Sequence, residues 1–346
     1  MPASVLQLVG HPGQVHLRSR TFVSAGQGEA MSGGEVAIGI DVGGTKIAAG
    51  LVEITSGRVL SMHRVPTEPE MGGEAVLRKC LDLAGRLAEE ALAAGTCLAG
   101  VGVGVPELVS PEGSITSNQT IDWRDVPVAE SFGRIAPAGV ESDVRAAALA
   151  EARYGSGRKC YNFLYVTIGT GISCTLVQGG LPYRGARGNA LVLASGKLTC
   201  WCERCGGFAV TVVEEFSSGP AIARRYADLT GDSAATSEKV LALAEAGNAT
   251  ARAVVVSAAE LVGGAIGFAV NILDPEVVVI GGGLGTAGGT YWEHMVRSAR
   301  EHIWSEQTRG LEILRSELGE HAGLIGAALV GWRAGRAHGV GHEEER

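Results

Sequence analysis

Two short segments, each an apolar run broken by a glycine turn and then resumed, limit what this chain can fold into. The first is Val36-Ala-Ile-Gly-Ile-Asp-Val-Gly-Gly-Thr-Lys46, continuing through Ile47 to Val52. The second runs from Phe163 to Ile168, turns through Gly169-Thr-Gly171 and resumes from Ile172 to Gln178. Apolar, partly β-branched runs joined through paired glycines read as β-hairpins. The same unit in both halves predicts an α/β protein of two domains with a cleft between them. Arg58 to Arg64 adds a third strand to the first unit. Glu74 to Ala94 carries apolar residues at helical spacing and ends at Gly95, and Leu98 to Val105 is a strand stopped by Pro106. In the second half, Asp143 leads into an Ala-rich helix ending near Gly155. Thr250 to Leu273 is a buried helix, Glu276 to Ile280 is a strand, and a last helix covers about Gly323 to Ala334. The expected domains are therefore 36–145, with the helix 323–334 returning to it, and 146–322. Residues 1–35 are expected to form a disordered extension, with Met31 as an alternative start, and 335–346 a flexible tail.

Composition excludes several classes. The net charge of −8 removes the basic face that nucleic-acid binding needs. With 46% hydrophobic and 19% charged residues, the chain can bury a large core. Seven cysteines, an odd number, do not form a secreted disulfide framework. No uninterrupted apolar run approaches a membrane span, and Met1 to Glu35 lacks the apolar segment of a signal peptide, so a cytoplasmic protein is expected.

The glycine turns carry the chemistry. In Asp41-Val-Gly-Gly-Thr-Lys46, Gly43 and Gly44 let backbone amides face an anion with no Cβ in the way, Thr45 adds a hydroxyl, and Asp41 is placed to hold a metal-bound water. Alone, this is also how an ordinary hairpin turn looks. The spacing is not that of a Walker loop. Thr167-Ile-Gly-Thr-Gly171 repeats the device, with Thr167, Gly169, Thr170 and Gly171. Gly281, Gly282 and Gly283 follow a third strand, where a bare backbone lets a flat base lie close. Two phosphate-facing turns from separate halves suit a polyphosphate gripped at both ends.

With these motifs in order, the chain resembles the ROK family (repressors, open reading frames and sugar kinases), which has the actin-like ATPase, or ribonuclease H-like, fold. The matching residues are Ile40 to Lys46, Gly102-Val-Gly-Val-Pro106, Asn118 before Trp123, Asp143, Thr167 to Gly171 and Gly185-Ala-x-Gly188. Glu214 ahead of Ser218-Gly219, Asp274 to Gly283, and Ser316-x-Leu-Gly319 to Gly326-Ala-Ala328 complete the match. The resemblance implies ATP with Mg2+ bound between two domains, phosphoryl transfer to a sugar-like alcohol, and a homodimer or homotetramer. It makes Asp143 the catalytic base, although the same position also suits a helix N-cap. It makes Asn118, Ser142, Glu214 and Ser195 substrate contacts.

Two departures from the family pattern bear on specificity. Its sugar kinases carry Glu-x-Gly-His after the Gly-Ala-x-Gly turn, and this chain reads Val192-Leu-Ala-Ser195. Losing a charged acceptor removes about 1.5–3 kcal/mol of binding. Glucose is expected to fit badly, and a hydroxymethyl C7-cyclitol such as 2-epi-5-epi-valiolone to fit better. The family's zinc site uses that histidine with Cys-x-Cys-Gly-x-x-Gly-Cys. Here Cys200, Cys202 and Cys205 keep three thiols at altered spacing without the histidine, so zinc is an expectation with its fourth ligand open. Three rival readings are weaker, one of them a degenerate kinase that lost activity together with its sugar ligands, against which Asp41, Asp143 and the glycine turns all survive. Gly283-x-Gly-x-x-Gly288 formally matches a dinucleotide fingerprint, with no evident βαβ unit and acidic strand end after it. A sugar-sensing repressor needs a helix-turn-helix domain that the first forty residues do not resemble.

Overall fold

The computed structural model describes residues 34–343. The expectations for residues 1–33 lie outside the described residues.

The first glycine hairpin is β1 (Glu35–Val42) with β2 (Lys46–Glu53), and β3 (Val59–Pro66) continues the meander. Then follow α1 (Gly73–Ala93), β4 (Cys97–Val105), the short α2 (Val128–Ser131), β5 (Ala138–Ser142) and α3 (Asp143–Arg153). These strands form one sheet in the order β3-β2-β1-β4-β5, with β1, β4 and β5 parallel.

The second hairpin, β6 (Asn162–Ile168) and β7 (Ile172–Gln178), is followed by β8 (Leu181–Pro182). An insertion then supplies the ribbon β9 (Lys197–Cys202) and β10 (Gly207–Val212), followed by α4 (Val213–Ser217), α5 (Gly219–Thr230), α6 (Ser237–Glu245) and α7 (Ala249–Leu273). The chain closes with β11 (Val277–Gly281), α8 (Gly289–His302), α9 (Glu306–Arg309), β12 (Glu312–Arg315) and α10 (Ala322–Glu343). The second sheet has the order β12-β11-β6-β7-β8. Its strand order and directions repeat those of the first sheet, so one topology is used twice.

In each half, the helix after the fifth strand crosses to the other. Helix α10 packs on β1, β4 and β5, α3 packs on β6, β7 and β8, and the two helices pack on each other. Small residues allow this approach. A Cβ at Gly102 would sit 1.7 Å from the Ala327 carbonyl, and one at Gly326 would sit 1.8 Å from the Ala146 carbonyl. On the outer face of the first sheet, α1 buries Val76, Cys80, Leu83 and Leu87 against β1 and β4. Helix α7 is the core helix of the second half, with Val254, Val262 and Ile266 packed under Leu164, Val166 and Ile280. It is long and apolar enough to cross a membrane, but most of that surface is buried within the protein.

Three features differ from the sequence expectations. The last helix does not stop at Ala334 but runs to Glu343 through Gly335, Gly339 and Gly341, because its first turns are fixed between the sheets. The ribbon β9–β10 and helices α5, α6 and α8 were not foreseen. A βαβ unit, β11–α8–β12, does follow Gly281 to Gly283, but β12 ends at Arg315 and not at an acid.

Candidate functional site

Asp41 is the penultimate residue of β1, paired with Ala48 on one side and Gly104 on the other. The register sets its side chain beside the start of α10, where a Cβ on Gly323 would lie 2.6 Å from its Oδ2. Burial pushes its carboxyl up to about 6, with Lys46 pulling the other way. The turn beyond it is closed by Gly43 N donating to Lys46 O at 2.9 Å and fastened by Thr67, whose Oγ1 donates to Gly43 O at 2.7 Å. Thr45 and Lys46 are exposed. Lys46 lies 3.8 Å from Glu320, just ahead of α10.

Asp143 opens α3 directly from β5, and Ser142, buried and extended, precedes it as the N-cap. Val144 N donates to Asp143 Oδ1 at 2.6 Å. The N-cap is therefore Ser142 and not Asp143, which corrects the helix-cap reading of Asp143, because Asp143 already has helical geometry as the first residue of α3. Burial first, and then the negative charge of Asp41, push the Asp143 carboxyl up to about 7. The Val144 amide opposes this, while Glu107 and Glu214 add to it. Four carboxylates from four separate segments thus share one field, which is how a proton acceptor is tuned toward neutral pH.

Glu214, in α4, reaches the second glycine turn. Its Oε2 accepts from Ile172 N at 2.7 Å, and a Cβ on Gly171 would lie 2.9 Å from that oxygen. Thr167 stands in β6 at the register position that Asp41 holds in β1, paired with Ser173 and Gly281. The third glycine cluster folds onto this turn: Leu284 N and Gly285 N both donate to Ile168 O, at 3.1 and 2.9 Å. Gly282, at φ 78°, leaves no room for a Cβ, which would sit 2.3 Å from the same carbonyl. Gly219 N, at the start of α5, donates to Gly169 O at 2.9 Å. The second glycine turn and Gly282 to Gly283 are therefore packed together, Gly169 beside Gly283, whereas Gly281 is buried against the Tyr165 hydroxyl.

Sequence reasoning missed the residues that hold these parts together. Glu107, buried just after Pro106, accepts from Gln119 N (3.0 Å), Thr120 N (2.7 Å), Ile121 N (3.0 Å) and Ser117 Oγ, and so shapes the loop carrying Asn118. Asn118 itself is exposed and contacts Asp122. Glu141 is buried and paired with Arg145 at 2.6 Å and Arg184 at 2.7 Å, and Arg145 also donates to Gly188 O at 2.8 Å. That network ties β5 and α3 to the Gly185–Gly188 turn. A buried carboxylate two residues before Asp143, with arginines at 145 and 184, was the available signal.

Ser195 is exposed, in a turn whose neighbour Ala194 accepts Glu214 N at 3.1 Å. Val192 is also exposed. The three cysteines of the zinc expectation differ in their surroundings. Cys200 is buried against Phe216 and Leu261, whereas Cys205 is exposed. Among the described residues, no group of three or more His, Cys, Asp or Glu side chains is placed to hold a metal ion. The altered cysteine spacing and the missing histidine do not fit tetrahedral zinc.

Comparison with known proteins matches the ROK family model over residues 37–333. The chain belongs to the ROK family. It has the actin-like ATPase fold. It is 29% identical over 317 residues to a glucokinase of Halalkalibacterium halodurans, covering 85% of this chain and 93% of that one. It is 31% identical over 261 residues to a kanosamine kinase of Amycolatopsis mediterranei, covering 71% of this chain and 80% of the relative. Among solved structures, a ROK glucokinase from Streptomyces griseus in complex with glucose and AMPPNP superposes with a TM-score of 0.73 at 27% identity, covering 86% of this chain and 99% of that one.

Proposed function

We propose that this ROK protein transfers the γ-phosphoryl group of ATP to the primary exocyclic hydroxyl of a cyclic, sugar-like polyol. As a phosphotransferase with an alcohol acceptor, it needs a base for that hydroxyl and a holder for the nucleotide. The observation carrying the reading is Asp143: a carboxyl raised to about 7 by burial and by Asp41, held by one amide at the start of α3.

The donor set suits a metal-bound triphosphate. The Gly43 and Gly169 amides close their own turns on Lys46 O and Gly171 O, which leaves the amides of Gly44, Thr45 and Thr170 and the hydroxyls of Thr45, Thr167 and Thr170 to meet the phosphates. Asp41 would hold Mg2+ through water, and the bound ion neutralises charge on the transferring group. Gly281 to Gly283 would back the adenine. Asp143 takes the proton of the acceptor hydroxyl as its oxygen bonds to the γ-phosphorus and the bond to ADP breaks. Asn118 and Glu214 hold the end of the ring that carries that hydroxymethyl, with Ser142 beneath it.

At the far end, Val192 and Ser195 stand where the family's sugar kinases carry an acid and an imidazole. This favours a C7-cyclitol such as 2-epi-5-epi-valiolone over glucose. The second reading, a hexose or amino-sugar kinase, is favoured by similarity to the glucokinase and the kanosamine kinase. An ATP-coupled assay over glucose, kanosamine, N-acetylmannosamine and 2-epi-5-epi-valiolone separates them. The cyclitol is expected to turn over fastest; glucose turning over faster overturns the acceptor and leaves the kinase standing.

A further inference from the structure

The ribbon β9–β10 leads without a break into α4 and Glu214, so whatever fixes the ribbon also fixes that carboxylate. Cys202 and Cys205 interact with each other, Cys200 lies buried, and among the described residues no set of three or more ligands is placed to hold a metal, whereas an arginine reaches the same segment. Arg225, on α5, donates from Nη2 to Glu203 Oε2 at 2.6 Å and to Ser257 Oγ at 2.7 Å. From Nη1 it donates to Phe216 O at 3.0 Å, and its guanidinium lies 3.5 Å from the centre of the Phe216 ring. Glu203 sits in the turn between Cys202 and Cys205, and its other oxygen accepts the Ser257 hydroxyl of α7. The side chains of Arg225 and Glu203 are only 13% and 14% exposed, so the pair is sheltered from the screening that makes surface pairs weak. On the ribbon's inner face, Cys200 packs with Phe216 and Leu261.

We infer that this segment is fastened without metal: Arg225 clamps the ribbon through Glu203 and the start of the helical layer through the Phe216 carbonyl, and in doing so positions Glu214. A planar fork that satisfies a carboxylate, a hydroxyl and a carbonyl together fixes direction as well as distance, which an ammonium does not. Arg225 is thus a positioning residue, two residues from Glu214 through Phe216. Its effect on the acceptor rests on the proposed role of Glu214; the metal-free fastening does not.

The test measures metal content and amide exchange first, then kinetics. Purified full-length protein is expected to hold far less than one zinc per chain, and a chelator to leave its Tm unchanged. Arg225→Met is expected to speed amide exchange over residues 197–217. With 2-epi-5-epi-valiolone as acceptor probe, it should raise the acceptor KM by about tenfold while leaving the ATP KM nearly constant. Arg225→Lys should restore part of both effects. Glu203→Gln keeps the carbonyl bonds of Arg225 and serves if the methionine variant fails to fold; it should loosen 197–212 alone. About one zinc per chain with loss of Tm on chelation overturns the inference, as does unchanged exchange in both variants. Loosened exchange with no change in acceptor KM spares the fastening and rejects the role given to Glu214.

Discussion

The two sheets share one strand order, yet they carry different chemistry at equivalent positions. Asp41 of β1 and Thr167 of β6 occupy the same register, each opposite a glycine on the parallel neighbour, Gly104 and Gly281. One half places an acid there and the other a hydroxyl. Beyond those glycines the halves diverge again: Val105-Pro106-Glu107 turns into a loop organised by a buried carboxylate, while the chain after Gly282 folds back so that Leu284 N and Gly285 N donate to the Ile168 carbonyl. A duplicated scaffold thus presents Asp41, Asp143 and Glu107 from one side, and from the other a largely backbone-lined wall to which Glu214 adds a carboxylate at the second glycine turn. In the proposed reaction, the acidic side handles metal and proton and the bare side receives nucleotide.

The sharpest way to break this comparison is to remove the acid that stands at the border. Asp143→Asn is expected to lower kcat by about 10²–10⁴ with nucleotide binding nearly intact, measured by steady-state kinetics and calorimetry. Retention of most of the rate would mean that the acidic wall is not where the proton goes. Next comes a pair of glycine substitutions. Gly282→Ala forces φ 78° on an L-residue and sets a Cβ 2.3 Å from backbone oxygen, whereas at Gly43 the nearest atom is Lys46 O at 3.2 Å. The first variant should raise the ATP KM much more than Gly43→Ala.

The acidic side should also reveal itself through pH. Activity needs ionised Asp143, so kcat/KM should rise through about pH 7, and Asp41→Asn should move the Asp143 titration, followed by carboxyl NMR, to lower pH. Stability runs the opposite way. Raised from 3.8 to about 7 on folding, this carboxyl favours the native state below its unfolded value and loses that contribution as pH climbs through about 7. The Tm advantage of Asp143→Asn over the native chain should therefore widen from pH 4 to pH 8. Val192→Glu should shift acceptor preference toward glucose by about tenfold or more if the lost charged contact is restored. The smallest effect is at the rim: Lys46→Ala breaks an exposed pair with Glu320 and should change stability by no more than about 0.5 kcal/mol.

Much of the scaffold was legible because its signals are local. The hairpins β1–β2 and β6–β7, helix α1 and helix α7 follow from apolar spacing and glycine punctuation, and their observed ends lie within a residue or two of those expected. The ribbon β9–β10 was hidden because its residues alternate cysteine, threonine, tryptophan and lysine without a clean apolar period, and one of its faces stays exposed. The extension of α10 was hidden because Gly335, Gly339 and Gly341 read as breakers, a signal that the packing of its first turns overrides.

The sequence by itself determined which residue types could do the work: glycines where backbone must approach an anion, and an acid at the end of a strand or the start of a helix. Those properties belong to single residues and their neighbours. Only the tertiary structure decided that Asp41, Asp143, Glu107 and Glu214 share one field, and that Glu203 meets Arg225 beside the cysteines. Electrostatic coupling depends on distance through space, and residues far apart in the chain acquire that distance when α3 and α10 pack together between the two sheets.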